Sequence, residues 1–238
     1  MKKSLLIILM STLYNYAFSQ MNGDFNYTVA IKGYSMMQMP KVLNQKNTKD
    51  FTNVWFHGGM VKFNDNQFSY RLSGSYLSKN IGLINNCATC EAAEGKMTDY
   101  IFKLGFEKNI NFSRFQPYFG LDIGFRSNKF DGKLMSTNPV YLASQAGKGT
   151  SDASIEPNSV EATKVGFVAS PIIGIKINPI PEISLFAEGN LDYFASYERQ
   201  ETVSGDLTNT VTLKKYNKTE FLLNPVTIGI QIHLGSNR

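Results

Sequence analysis

Apolar and polar residues alternate with a period of two in segment after segment, the mark of strands with two unlike faces. The clearest stretch runs from Ile183 to Tyr197, where Ile183, Leu185, Ala187, Gly189, Leu191, Tyr193, Ala195 and Tyr197 share one face. Ser184, Glu188, Asn190, Asp192 and Ser196 share the other, with Phe186 and Phe194 as exceptions. Phe119, Leu121, Ile123 and Phe125 stand in the same way against Tyr118, Gly120, Asp122 and Arg126. So do Phe68, Tyr70, Leu72 and Tyr76 against Ser69, Arg71, Ser73 and Ser75, and Val226, Ile228, Ile230, Ile232 and Leu234 against Thr227, Gly229, Gln231 and His233. Similar patterns near 25–35, 98–107 and 163–177 predict further strands. Near 53–63 the faces are mixed: Trp55 and His57 fall with Val61 and Phe63, and Val54 and Phe56 with Met60, so that strand is not oriented. The total is about eight strands, each longer than the usual ~5–6 residues of a soluble strand. A bilayer crossing takes about 9–11 residues at a steep tilt.

The connections alternate as well. Asn64-Asp65-Asn66, Asn109 to Arg114 and Asn178-Pro179-Ile180-Pro181 are short and rich in turn formers. Between them lie long polar stretches at about 37–52, 79–97, 127–162 and 198–218. Short and long connections in strict alternation predict an all-β fold: one eight-stranded antiparallel up-and-down transmembrane β-barrel. A secreted soluble barrel or sandwich would alternate too, with its apolar face inward. Three features favour apolar-out. The polar faces are built of Ser, Gly, Asn and a few charges rather than dense Lys and Glu. Tyr27, Phe63, Phe68, Tyr76, Tyr100, Phe125, Tyr193 and Tyr197 recur towards strand ends, as interface girdles do. Trp55 sits in Asn53-Val54-Trp55, not in the Gly-x-Trp start of a lipocalin.

Composition narrows the class. The 238 residues are 42% apolar and 18% charged, which excludes a disordered chain. The net charge is +5, two of it from Lys2 and Lys3, and no nucleic-acid partner is expected. Mean hydropathy is −0.20 and no mature segment is apolar for long enough to form a transmembrane helix. Residues 1–19 read as a signal peptide: Lys2 and Lys3, an apolar run from Leu5 to Met10, and Ala17-Phe18-Ser19 before a cut at Gln20. No cysteine follows the apolar run, so a lipoprotein leader is not expected. Residues 20–238 then form a single barrel domain.

The leader ending in Phe18-Ser19-Gln20, the eight strands and the closing strand Asn224-Pro225-Val226-Thr227-Ile228-Gly229-Ile230 resemble the outer-membrane β-barrel proteins of Bacteroidetes-type bacteria. These are similar in architecture to the small OmpA/OmpX-type barrels. The resemblance implies the cell outer membrane as location, with outer-membrane lipid and, during biogenesis, the barrel-assembly machinery as partners. One departure is the end of the chain: many such barrels finish on Phe, whereas this one continues past Leu234 through Gly235 and Ser236.

With apolar faces outward, the lumen receives Lys32, Arg71, Lys103, Glu107, Asp122, Arg126, Lys164, Lys176, Glu188 and Asp192. An eight-stranded interior is just wide enough for side chains to fill it. Buried charges must be paired, so these predict a network that closes the pore. Cys87 and Cys90 form the only cysteine motif. Two thiols cannot complete a four-coordinate zinc site, and in an exported chain they are the candidate for a small disulfide loop. No metal site, cofactor or catalytic residue is expected. His57 could face lipid, whereas His233 points to the lumen without a Ser or Glu beside it at strand spacing. The sequons at Asn26, Asn111 and Asn217 are read as chance.

The expected function is therefore structural or binding, through external loops whose ligand or partner is unknown. The longest, about 127–162, carries Lys129, Asp131, Lys133, Lys148, Asp152, Glu156 and Glu161. The alternatives are a secretion-apparatus component resembling the PorT-like barrels, a lipid-modifying outer-membrane enzyme using His57, and the secreted soluble β-barrel.

Overall fold

A computed structural model of the chain describes residues 25–43, 51–65, 67–84, 91–110, 114–136, 158–204 and 210–236. The leader and the Cys87/Cys90 motif lie outside these residues, as do Lys148, Asp152 and Glu156. Eight strands follow one another: β1 Phe25–Gln38, β2 Phe51–Asp65, β3 Phe68–Ile84, β4 Glu91–Asn109, β5 Phe115–Ser136, β6 Asn158–Ile180, β7 Ile183–Val203 and β8 Val211–Ser236. Each pairs antiparallel with its neighbour in sequence, and β1 pairs with β8 from Phe25↔Ser236 to Met36↔Val226, closing the sheet. The fold is an eight-stranded up-and-down barrel. Where all eight ladders run, closure leaves the sheet without an edge, the condition for strands to sit in hydrocarbon.

The apolar faces point out. Leu72, Leu104, Ile123, Leu185 and Ile230 are exposed on the outer wall, while Arg71, Lys103, Asp122 and Gln231 beside them are buried inside. Aromatic rings mark both rims of this belt. Tyr27 lies against Phe63 (5.7 Å between centroids) near the short turns, and Tyr76 against Tyr100 (4.9 Å) and Tyr193 against Phe221 (5.4 Å) near the other rim. Phe186 and Phe194, which broke the alternation in β7 from the sequence, are buried in the lumen.

The strands run further than the sequence pattern indicates. The stretches read as long connections at 79–97, 127–162 and 198–218 are in part ladder, with β5 continuing to Ser136, β6 starting at Asn158 and β8 at Val211. Lys129, Asp131, Lys133 and Glu161 are accordingly strand residues, and Lys129 pairs with Glu161 at 2.9 Å on the exposed surface. Beyond the belt the polarity reverses: Phe130, Leu134, Val160 and Ala162 point inward while Lys129, Asp131 and Lys133 point outward. The segment after β1 folds into this upper interior. Val42 is fully buried there against Ala93, Met97, Phe130 and Val160, with Met39 and Leu43 beside it. Lys164 Nζ donates to the Lys41 carbonyl at 3.0 Å, and Leu43 N to Glu198 Oε1 at 3.3 Å, fixing the segment in place.

β2 explains why its sequence could not be oriented. Lys32 pairs with Gly58 and Tyr34 with Trp55, so Phe56 and His57 together oppose Gly33 as a bulge. Phe56 adopts a left-handed backbone (φ 46°), which no other residue of the described strands except a terminal glycine shares. This turn swaps the two side chains: Phe56 points out to 77% exposure and His57 points in, at 9%. Trp55, Val61 and Phe63 are outward, and Val54, Met60 and Lys62 inward. The bulge also ends the β2–β3 ladder. Pairing runs from Asp65↔Phe68 to Gly58↔Ser75 and stops there, while Phe51–Trp55 stays on β1 and Tyr76–Ile84 stays on β4.

Glycines make room for rings inside. A Cβ at Gly174 would lie 2.4 Å from Cζ of Tyr118, which is buried in the lumen. Gly174→Val should therefore lower stability by about 1–3 kcal/mol through overpacking. Gly82→Val, whose Cβ would meet only the Glu94 side chain at 3.9 Å, should change it little. Urea titration of the two variants in detergent micelles, followed by the unboiled-gel shift, measures the difference.

Candidate functional site

Alternation delivers one inward side chain every second residue from each strand, and in the belt these side chains are charged. They form a stack along the axis. Near the short turns Glu107 lies at the centre of three cations: Lys62 Nζ at 2.8 Å, Arg71 Nη1 at 3.1 Å, and Lys176, which also donates to Asn109 Oδ1 at 2.7 Å. Arg71 reaches on to both oxygens of Glu188, at 3.0 and 3.1 Å, and its Nε lies 3.2 Å from Asp122 Oδ1. The Tyr118 hydroxyl donates to Glu188 at 3.0 Å, and the Lys176 and Lys62 ammonium groups lie 4.8 and 5.5 Å from the centre of its ring. A guanidinium that bridges carboxylates from three strands ties the wall together across the lumen.

The next level holds Lys103 on Asp192 at 2.7 Å, with Ser170 donating to the same oxygen at 2.6 Å and Asn224 to its partner at 3.2 Å. Above it Arg126 grips Asp99 with Nε at 3.0 Å and Nη2 at 2.9 Å, stacked 5.7 Å from the Phe194 ring. Higher still, Lys164 donates to Glu220 and lies 3.8 Å from Glu198. Charges held this far from water cost several kcal/mol each unless paired. The pairs here and the aromatic faces beside them supply that compensation.

Nine of the ten residues expected in the lumen from the sequence are buried inside and ion-paired. The tenth, Lys32, faces inward without an ion pair among the described residues, at longer range from Glu188 and Asp122. Lys62, Asp99, Glu198 and Glu220 belong to the same network and were missed. Lys62 sits in the strand that had no orientation, and Glu198 in a stretch taken as a connection. Adding one base and three acids removes the basic excess of the sequence list.

Both histidines differ from expectation. His57 does not face lipid, because the Phe56 bulge turns it inward. His233 does have a serine beside it: Ser184 Oγ lies within hydrogen-bond distance of Nε2, and Thr28 Oγ1 lies 2.8 Å from Nδ1. The neighbour comes from β7, across the ladder, which spacing along β8 could not reveal. Ser184 is fully buried and also donates to Asn178. No group of three or more metal-ligating side chains exists among the described residues.

The sequence matches no protein-family model, and no curated protein matches it. Solved structures are similar. The outer membrane protein OprG from Pseudomonas aeruginosa superposes with a TM-score of 0.54 at 11% identity, over 88% of this chain and 97% of that one. A major outer membrane protein from Thermus thermophilus gives 0.46 at 10% identity over 87% and 99%, and Escherichia coli outer membrane protein W gives 0.44 at 11% over 90% and 100%. The chain thus has the barrel fold of a known outer-membrane protein. The likeness is to the fold alone.

Glu107 is the group whose removal leaves most charge stranded. Glu107→Ala should cost about 3–5 kcal/mol, the range for breaking a buried pair. Lys129→Ala, which removes only the exposed pair with Glu161, should cost under about 1 kcal/mol. Unfolding of the two variants in urea tests the contrast.

Proposed function

We propose that the protein is a small integral outer-membrane barrel of the Bacteroidetes-type group, exported through a leader at residues 1–19. Its lumen is structural, and its interactions with other molecules are made by the connections at the end opposite the short turns. The observation that carries this reading is the conjunction of an outward apolar belt with a lumen filled from wall to wall by ion pairs. A filled lumen supports a role other than passage along the axis. The belt supports lipid as the surrounding solvent, and the shared fold with OprG supports the outer membrane as the place. Folding there requires the barrel-assembly machinery.

A non-enzymatic role is part of the proposal. The lipid-modifying alternative needs a reactive group presented to lipid. Its candidate His57 is turned inward, and the Ser184–His233 contact faces the lumen rather than lipid. The resemblance to PorT-like secretion barrels concerns partners at the outer connections, and would be met by copurification of envelope proteins with the full chain.

The deciding experiment expresses the full chain, isolates outer membranes and compares boiled with unboiled samples on a denaturing gel. A band in the membrane fraction that migrates differently until heated is the expected result, because a closed barrel resists detergent. The purified barrel in planar bilayers should show no steady ion conductance. A soluble periplasmic protein without a heat shift, or a stable open channel, would overturn the reading.

A further inference from the structure

Above the belt, the barrel interior is filled by a piece of chain that belongs to no strand. β1 ends its ladder with β2 at Gln38↔Phe51, and the strap that follows, Met39 to Leu43, turns into the upper interior. Val42 is its anchor, fully buried against Ala93, Met97, Phe130, Leu134, Val160 and Ala162. Two charged side chains hold the backbone on either side of that anchor. Lys164 Nζ donates to the Lys41 carbonyl at 3.0 Å, and Glu198 Oε1 accepts the Leu43 N–H at 3.3 Å. Both charged side chains are fully buried. Main-chain groups that supply the hold, around one pocket that reads one side chain, are the means by which a short extended peptide is recognised.

The strap fits this seat imperfectly. Leu43 adopts a left-handed backbone (φ 57°), which is costly for a residue with a Cβ. Glu198 Oε2 is buried with no hydrogen-bond partner among the described residues, while Oε1 takes both the Leu43 N–H and the Tyr216 hydroxyl, the latter at 2.7 Å. A buried oxygen left without a donor is an unfavourable arrangement. Both defects follow from the strap's attachment rather than from the seat. The chain must leave the interior again to reach Phe51 beside Gln38, so it turns at Leu43. A separate peptide can run straight on and bring a further N–H to Oε2.

We propose that the upper interior is a binding site for a short extended peptide carrying a small branched apolar residue, and that the strap is its built-in competitor. This deepens, and rests on, the reading that other molecules are met at the end opposite the short turns. The incoming peptide seats its valine-like side chain where Val42 lies. It gives a carbonyl to Lys164 and N–H groups to both oxygens of Glu198. The strap makes no ladder bonds, so its release leaves the wall intact. Arg126 on Asp99 and Lys103 on Asp192 keep their pairs beneath, so the exchange opens no path along the axis.

The probe is the strap's own sequence, acetyl-Met-Pro-Lys-Val-Leu with a fluorophore on its C-terminal amide. Its binding to the full mature chain in detergent micelles is read by fluorescence anisotropy. Val42→Asp puts a carboxylate in the apolar pocket and should expel the strap, leaving the seat open. The expected result is saturable binding to this variant. Wild type should bind at least ~10-fold more weakly, because its strap competes at an effective concentration on the order of millimolar. Adding Ala162→Leu should fill the pocket and abolish the binding gained. The same peptide with aspartate in place of its valine should bind neither chain. Val42→Ser, which has no carboxylate to bury, supplies the comparison if Val42→Asp fails to fold. Equal binding by wild type and variant, equal binding of the aspartate peptide, or no saturable binding by a variant that still shifts on heating would overturn the site. A failure of the barrel reading would show separately, as a wild-type chain that neither enters membranes nor shifts on heating.

Discussion

Hydrocarbon offers no hydrogen-bond partner, and that one constraint organises the rest of the molecule. Each backbone N–H and C=O in the belt must find its partner in a neighbouring strand, so β1 has to meet β8. Closing eight strands fixes a narrow lumen, and the period of two then sends every second side chain into it. With the outer face committed to Leu, Ile, Val and aromatic residues, the inner face carries what specifies the interior. Arg71 and Glu188 meet there from β3 and β7, joining parts of the wall that share no ladder. The ion pairs are thus a consequence of closure and a reinforcement of it.

The barrel is two environments on one sheet. Within the belt it has apolar residues outside and charges inside. Past Phe125 on β5 and Tyr197 on β7 the arrangement reverses, with Lys129, Asp131 and Arg199 outside and Phe130, Leu134 and Val42 inside. The same backbone ladder continues through the change, because strand pairing is indifferent to which face is wet. Only the side chains record where the lipid ends.

That reversal explains what the sequence disclosed and what it concealed. Eight strands, their order and the outward set were legible, because a period of two over ten residues has few other readings. The phase also placed nine members of the charged network, while Lys62, Asp99, Glu198 and Glu220 escaped it. The upper parts of β5 and β6 were concealed, since the apolar phase flips there, and that of β8 because Lys214, Lys215, Asn217 and Lys218 read as a polar connection. The orientation of β2 was concealed by one left-handed residue, Phe56, which exchanges the faces of Phe56 and His57 without changing the phase on either side. Partners were not legible at all: Arg71 and Glu188 are 117 residues apart, and only the closed circle brings them together.

The upper half of the barrel, with water outside and its own small apolar interior, is in effect a soluble barrel grafted onto a membrane one. It works as a pedestal. The strands continue above the lipid before the outer connections begin, so a large partner can approach that end without displacing headgroups. Changes in those connections are also insulated from the belt, since the pedestal stands between them and the charged stack. Such a layout lets the connections vary in sequence while the part that must fit the membrane stays as it is.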